Sequence, residues 1–267
     1  MNRALLGLAC AAVLSFCLGP FGWQVLTSLR PEGELHRLAL PTTLSPVHYR
    51  ALLEGGFARV LLNSAFVAGV TTALTLAIAS LAAFAIARLQ FRGARAVLVF
   101  ALAVSMFPPI ATVSPLYVAL RALGLRDTLS GLVLPYTTFS LPLALWLLTT
   151  FFREIPEELY RAARVDGCTP FGAFRRVLLP LAAPGLATTA ILVFIFAWNE
   201  FLYALTFISS PLKRTVPVAI ALFAGEHREP WGEIAAASVI ATLPLIVATV
   251  LFQRRIVSGL TAGSVKG

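Results

Sequence analysis

Charge is what this chain has least of. Only 12% of its 267 residues are charged, against 58% hydrophobic. A water-soluble domain carries about 25% charged residues, so a soluble globule is excluded. Lysine is nearly absent: Lys213 is followed by Arg214 and Lys266 by Gly267. A phosphate-binding loop needs a Gly-rich run ending in Lys and then Ser or Thr. Neither lysine meets that need, so this chain does not itself bind ATP. Aspartate is equally scarce, with only Asp127 and Asp166. A membrane transferase that holds divalent metal on clustered aspartates is thereby disfavoured. The three cysteines, Cys10, Cys17 and Cys168, have no metal or disulfide spacing. Cys10 and Cys17 lie about 10 Å apart along one helix, too far to bridge. His36 and His48 have no partner at the close spacing of a metal site and read as solvated loop histidines.

Long hydrophobic runs are what the chain has instead. Six segments are long enough to cross about 30 Å of hydrocarbon: residues 4–29, 60–87, 96–120, 128–152, 181–207 and 234–252. The first continues through Phe21, Trp23 and Leu26, past the length of a signal-peptide core, and is expected to be a retained span. Pro108, Pro109 and Pro115 fall in the third span, and Pro135 and Pro142 in the fourth. Such prolines free backbone groups that neighbouring helices must satisfy, so a packed bundle is expected. The net charge of +9 comes from short basic loops between apolar runs. Arg88, Arg92 and Arg95 form one such loop with no acid among them. That pattern sets membrane orientation and does not indicate nucleic-acid binding. With six spans, both termini, this loop and residues 153–180 lie on the cytoplasmic side. The loops 30–59 and 209–233 lie outside. The latter carries an apolar patch, Val216 to Ala224, too short to cross a bilayer.

Residues 153–180 form the principal polar interruption on the cytoplasmic side. Pro156 with Glu157 and Glu158 marks a helix start. Gly167 ends that helix, and Thr169-Pro170 caps a second one running from Phe171 to Leu178. Phe171, Phe174, Val177 and Leu178 share one face of it, flanked by Arg175 and Arg176. A short amphipathic helix in a water-facing loop calls for a partner groove.

The spacing Ala162-Ala163, three residues, Gly167, nine residues, Val177-Leu178-Leu179-Pro180 resembles the cytoplasmic EAA loop of binding-protein-dependent ABC importer permeases. It departs from that pattern at Arg161, where the family usually has Glu. Trp198-Asn199-Glu200-Phe201 and the ending Gly259 to Gly267 are similar to the maltose-type, carbohydrate-uptake branch, in its second permease subunit. The resemblance implies an all-α integral membrane protein with six transmembrane helices, the type I importer transmembrane domain, as one domain over 1–267. It implies a multi-pass protein of the bacterial cytoplasmic membrane that carries no enzyme activity and no cofactor. ATP and Mg²⁺ would sit on a separate ATPase. The implied partners are a second permease subunit in a heterodimer, two ATPase subunits and an extracytoplasmic sugar-binding protein. The implied substrate is a disaccharide such as trehalose or maltose, with monosaccharides or glycerol phosphate as alternatives. A self-contained secondary carrier is the remaining rival, but such carriers usually bury several ionisable groups.

Carried over residue by residue, the docking segment comprises Arg161, Ala162, Ala163, Asp166, Gly167, Phe171, Phe174, Leu178 and Pro180. Val216, Ala219, Ala221 and Phe223 are expected to meet the binding protein. Glu200 is the one charge within a span, about 9 Å outside the midplane on a straight helix. Asn199, Glu200 and Tyr203 are expected on one helix face. Two roles are open for them: lining the sugar pathway, or a structural carboxylate pairing the two permease subunits.

Overall fold

The computed structural model describes residues 3–35, 41–89, 91–223 and 230–262. The described residues fold as helices joined by short turns. In chain order they are α1 (Arg3–Ser28), α2 (Val47–Glu54), α3 (Phe57–Arg88), α4 (Ala94–Ser105), α5 (Pro109–Ala122), α6 (Leu129–Glu154), α7 (Glu157–Val165), α8 (Pro170–Leu181), α9 (Ala183–Asn199), α10 (Leu202–Phe207), α11 (Val216–Ala221) and α12 (Trp231–Ala262). The helices α1, α3, α6 and α12 are each long and apolar enough to cross a membrane. Two bent pairs raise the number to six if each is one span: α4 with α5, bent by 95°, and α8 with α9, bent by 77°.

The expected third span is therefore not one straight helix. Its break falls at Pro108-Pro109: Pro108 takes an extended conformation and Pro109 starts α5. A proline ring restricts the residue before it to extended backbone, so two in a row end one helix and begin the next.

Bundle packing centres on α3 and α6, with α9 laid against both. The buried face of α3 is built from small side chains, among them Ala68, Thr71, Thr75, Ala79, Ser80 and Ala83. Small residues let helix backbones approach closely where no hydrophobic force drives them together. The approach of α9 to α6 has the same basis. A Cβ on Gly185 would sit 2.3 Å from the Phe151 ring. Three cores result among the described residues. One, toward the end bearing α11, gathers Val67, Leu132, Tyr136, Trp198, Tyr203, Phe207 and Val216. A second, toward the end bearing α7 and α8, gathers Phe84, Leu148, Phe152, Phe174 and Leu178. A smaller third gathers Leu52, Phe57, Ala219, Ala236 and Ala237.

The described residues after α1 pack more closely than their polar composition suggests. Arg30 is buried with its guanidinium 4.7 Å from the Trp23 ring centre. His48 is not solvated: it is 3% exposed, its Nε2 lies 2.9 Å from the Arg30 carbonyl oxygen, and its ring packs on Gly232, where a Cβ would come within 2.2 Å. A glycine far along the chain makes room for it, which no local pattern reveals. His36 lies outside the described residues. Among the described residues no cluster of His, Cys, Asp or Glu suits a metal ion.

Candidate docking segment and transport site

The segment after α6 forms two helices with a sharp turn between them. Pro156 occupies the N-cap of α7, and Glu157 and Glu158 fill its first turn. The helix closes with paired bonds: Gly167 N–H donates to the Arg164 carbonyl (3.2 Å) and Cys168 N–H to the Ala163 carbonyl (3.0 Å). This is a Schellman end, which needs a left-handed residue. Gly167 supplies it with φ of +85°. The Arg164 guanidinium donates to the Cys168 carbonyl and braces the turn. Thr169 then caps α8 by accepting from Gly172 N–H at 3.0 Å, and Pro170 takes its first turn. Within α8, residues Phe174–Leu178 widen into a π-helical turn.

The face expected to meet a partner divides in two. Phe174 and Leu178 are 4% and 0% exposed. Phe174 packs on Phe84 (5.1 Å between ring centres) and Phe152 (6.1 Å), inside the chain's own core. Phe171 points outward at 59% exposure, and Val165 at 86%. Ala163 is buried beneath α7, while Ala162, Asp166 and Pro180 are exposed. Arg161 is exposed and pairs with Glu157 one turn earlier at 2.9 Å. The apolar period identified the helix correctly but could not assign its two sides, because Phe171 sits one turn before the part that docks internally.

Arg88 joins this segment to the bundle. Its Nη2 donates to the carbonyls of Phe152 and Ile155, the free acceptors at the end of α6. A cation there also meets the negative end of the helix dipole. From sequence Arg88 counted only toward membrane orientation; its place as the last residue of α3 was no signal for this contact.

Glu200 is not on a continuous helix. It ends α9 in an extended conformation, with φ −68° and ψ 130°. Its two carboxylate oxygens accept from Tyr203 N–H (2.9 Å) and Ala204 N–H (3.2 Å), capping α10. The three residues expected on one face are thus separated. Asn199 is exposed and donates to the Ile195 carbonyl. Tyr203 is 2% exposed, stacked between Phe139 and Phe207, with its hydroxyl 2.7 Å from Thr112 Oγ1. The Tyr136 hydroxyl is buried beside the Glu200 carboxylate without reaching hydrogen-bond geometry. In an apolar medium a broken helix must have its free N–H groups satisfied, and Glu200 does this from inside the chain.

At the opposite end from α7 and α8, a clasp fixes the approach to α11. Asp127 has a positive φ of 54°. Its Oδ1 accepts from Ser209 N–H and Ser210 N–H, both at 2.9 Å, and its Oδ2 pairs with Lys213 at 3.2 Å. The two backbone donors, and then Lys213, hold its carboxyl below the usual aspartate range. Asn63 donates to the carbonyls of Leu212 and Arg214, both at 3.0 Å, and Ser64 Oγ accepts from Val216 N–H at 2.8 Å. These residues escaped the sequence reading, although Asp127 is one of only two aspartates. The clasp seats α11 against the bundle. Val216 and Ala219 are consequently buried, Phe223 is half-buried with its ring 6.1 Å from that of Phe57, and Ala221 is exposed. Ala224 lies outside the described residues.

A bundle of long apolar helices with a two-helix segment at one end defines a membrane-spanning protein. The chain belongs to the family of binding-protein-dependent transport system inner membrane components, whose model matches residues 57–261. It is 48% identical over 263 residues to the trehalose transport system permease protein SugB of Mycobacterium tuberculosis, covering 96% of this chain and 94% of that one. It is 42% identical over 280 residues to the trehalose/maltose transport system permease protein MalG of Thermococcus litoralis, covering 100% and 98%. It is 43% identical over 272 residues to the sulfoquinovosyl glycerol transport system permease protein SmoH of Agrobacterium fabrum, covering 100% and 95%. Its fold matches, with a TM-score of 0.79 and 21% identity over 95% of this chain and 98% of the other, a crystal structure of a bacterial ABC transporter involved in the import of the acidic polysaccharide alginate. The fold is the type I importer transmembrane domain, and the chain is a multi-pass inner-membrane transport permease.

Proposed function

We propose that this chain is one of two permease subunits of an ATP-driven importer for a disaccharide such as trehalose or maltose. The observation that carries the substrate class is the near end-to-end similarity to SugB and MalG, two permeases named for trehalose. The partners are a second permease, two ATPase subunits that hold ATP and Mg²⁺, and an extracytoplasmic sugar-binding protein. Both termini and the α7–α8 segment face the cytoplasm. Support comes from the two exposed apolar side chains, Val165 and Phe171, that flank the Gly167 turn, with Arg161, Ala162, Asp166 and Pro180 around them. Apolar groups set in a polar projection suit a groove on the ATPase. Phe174 and Leu178 anchor the projection from within, so motion of the ATPase reaches α3 and α6 through the Phe84–Phe152–Phe174 cluster. ATP binding then drives the bundle between inward- and outward-open states.

For the binding protein, the exposed Ala221 and the half-buried Phe223 remain as contacts, while Val216 and Ala219 support the loop from below. Glu200 acts as a helix cap, and Asn199 alone of the three presents a free face to the sugar pathway.

Reconstituted with its genomic neighbours in proteoliposomes, the complex should accumulate radiolabelled trehalose or maltose only with ATP and the binding protein. A panel with monosaccharides, glycosyl glycerols and glycerol phosphate decides the solute. Accumulation without the ATPase would make the chain a self-contained carrier.

A further inference from the structure

At the end bearing α11, a cavity of about 370 Å³ opens between α2, the start of α3, the turn at 211–214, α11 and the first turn of α12. Leu52, Phe57, Val60 and Phe223 give it apolar walls. Three charged side chains also line it: Arg59, Arg214 and Glu233. Among the described residues none of the three side chains forms an ion pair or hydrogen bond, and they do not pair with one another. Two guanidiniums and a carboxylate held apart around an apolar hollow suit a ligand with an anionic and a cationic group on an apolar body.

The surface below the cavity has the same character. Leu62, Phe66 and Val70 follow Arg59 at three, seven and eleven residues, on its helix face. They are 69%, 50% and 39% exposed. Trp231, at the start of α12 and two residues before Glu233, is 49% exposed. Tryptophan at such a position marks the headgroup level of a bilayer. Arg59 thus stands where a headgroup ends and acyl chains begin.

We propose that this cavity binds a phospholipid with an ethanolamine-type headgroup. Arg59 and Arg214 hold the phosphate, where planar guanidiniums give paired hydrogen bonds. Glu233 receives the ammonium, and an acyl chain lies along Leu62, Phe66 and Val70. A glycerol headgroup offers Glu233 no cation and is the weaker ligand. The occupied site ties α2 and α11 to α3 through lipid. The assignment rests on the membrane residence of the chain and not on the identity of the transported solute.

The test is native mass spectrometry of the purified transporter complex, titrated with dioleoyl phosphatidylethanolamine and, separately, dioleoyl phosphatidylglycerol. Each of Arg59→Gln and Arg214→Gln should weaken ethanolamine-lipid binding about fivefold, and the pair about twenty-five-fold. Glu233→Gln should erase the preference for ethanolamine over glycerol lipid. The single variants carry the test where the double variant does not assemble. Unchanged lipid binding in both arginine variants overturns the proposal. So does lost affinity for the extracytoplasmic binding protein with lipid binding unchanged, which would assign the cavity to that protein.

Discussion

At the scale of the residue, Glu200 shows how a half-buried charge is made tolerable. Its carboxylate is satisfied by two backbone N–H groups and by the positive end of α10. Glu200→Gln keeps the shape but replaces one acceptor oxygen with a donor. The cap should weaken by roughly 1–2 kcal/mol, read as a lower melting temperature of the complex with unchanged sugar preference. A change in sugar preference at constant melting temperature would return Glu200 to the transport pathway. Asp127 makes a prediction in pH. Its carboxyl titrates below the ordinary value because the Ser210 and Ser209 N–H groups bind its charged form. Its stabilising contribution is therefore complete above the unfolded value of about 4 and is lost as pH falls through the lower folded value. The difference in melting temperature between wild type and Asp127→Ala should shrink on acidification through that window. A difference constant across it would show that the carboxylate charge is irrelevant to the clasp. Gly167 makes a third. No atom lies within 4 Å of a Cβ built there, so the obstacle is its φ of +85° and not crowding. A left-handed L-residue costs about 1–2 kcal/mol, and a β-branched one is worse. Gly167→Val should leave ATP hydrolysis uncoupled from uptake or prevent assembly; full uptake would remove the turn from coupling.

At the scale of the element, α8 carries two aromatic residues with opposite duties. Phe171→Ala should lower transport and ATPase stimulation while leaving the melting temperature of the permease alone. Phe174→Ala should destabilise it by about 3–5 kcal/mol, the usual result of emptying a core site. Equal melting losses for the two would mean that both are packing residues. This division marks the limit of what the sequence could tell. Caps made from local chemistry were legible: Pro156, Thr169-Pro170 and Gly167 all stand where their residue types place them. The existence of spans was legible from apolar length. The break after Asn199 was not, because no Pro or Gly stands there, and a side chain of ordinary helix-forming type does the work of a cap. Nor was the burial of His48, since it depends on Gly232 across the fold. Arg88, likewise, reads as a loop charge until Phe152 and Ile155 are placed beside it.

At the scale of the whole molecule, the bundle is tight at its centre and open at its edges. The α6 span is largely enclosed, whereas the apolar stretch of α1 has no buried residue in its most hydrophobic window. Phe16, Leu8 and Leu5 are among its exposed side chains. Lipid or a second permease must cover this surface. Removing residues 3–22 while keeping Trp23, Ser28 and Arg30 should lower the melting temperature of the remaining bundle by no more than about 4 °C, about 1 kcal/mol for a chain of this size. A larger fall would make α1 a structural member of the bundle and not an applied strut.

The neighbour against which α1 chiefly packs is α12, the last helix in the described chain. During synthesis these two are separated by every other span. The first helix enters the membrane with no protein surface to meet, and waits in lipid until the ribosome has delivered the last. Its apolar circumference makes that wait harmless, because acyl chains solvate it as well as another helix would. Closing the ring between first and last helices is thus the latest step open to the nascent chain. A ribosome stalled before α12 should leave α1 diffusing free, accessible to any other hydrophobic helix passing through the same insertion machinery.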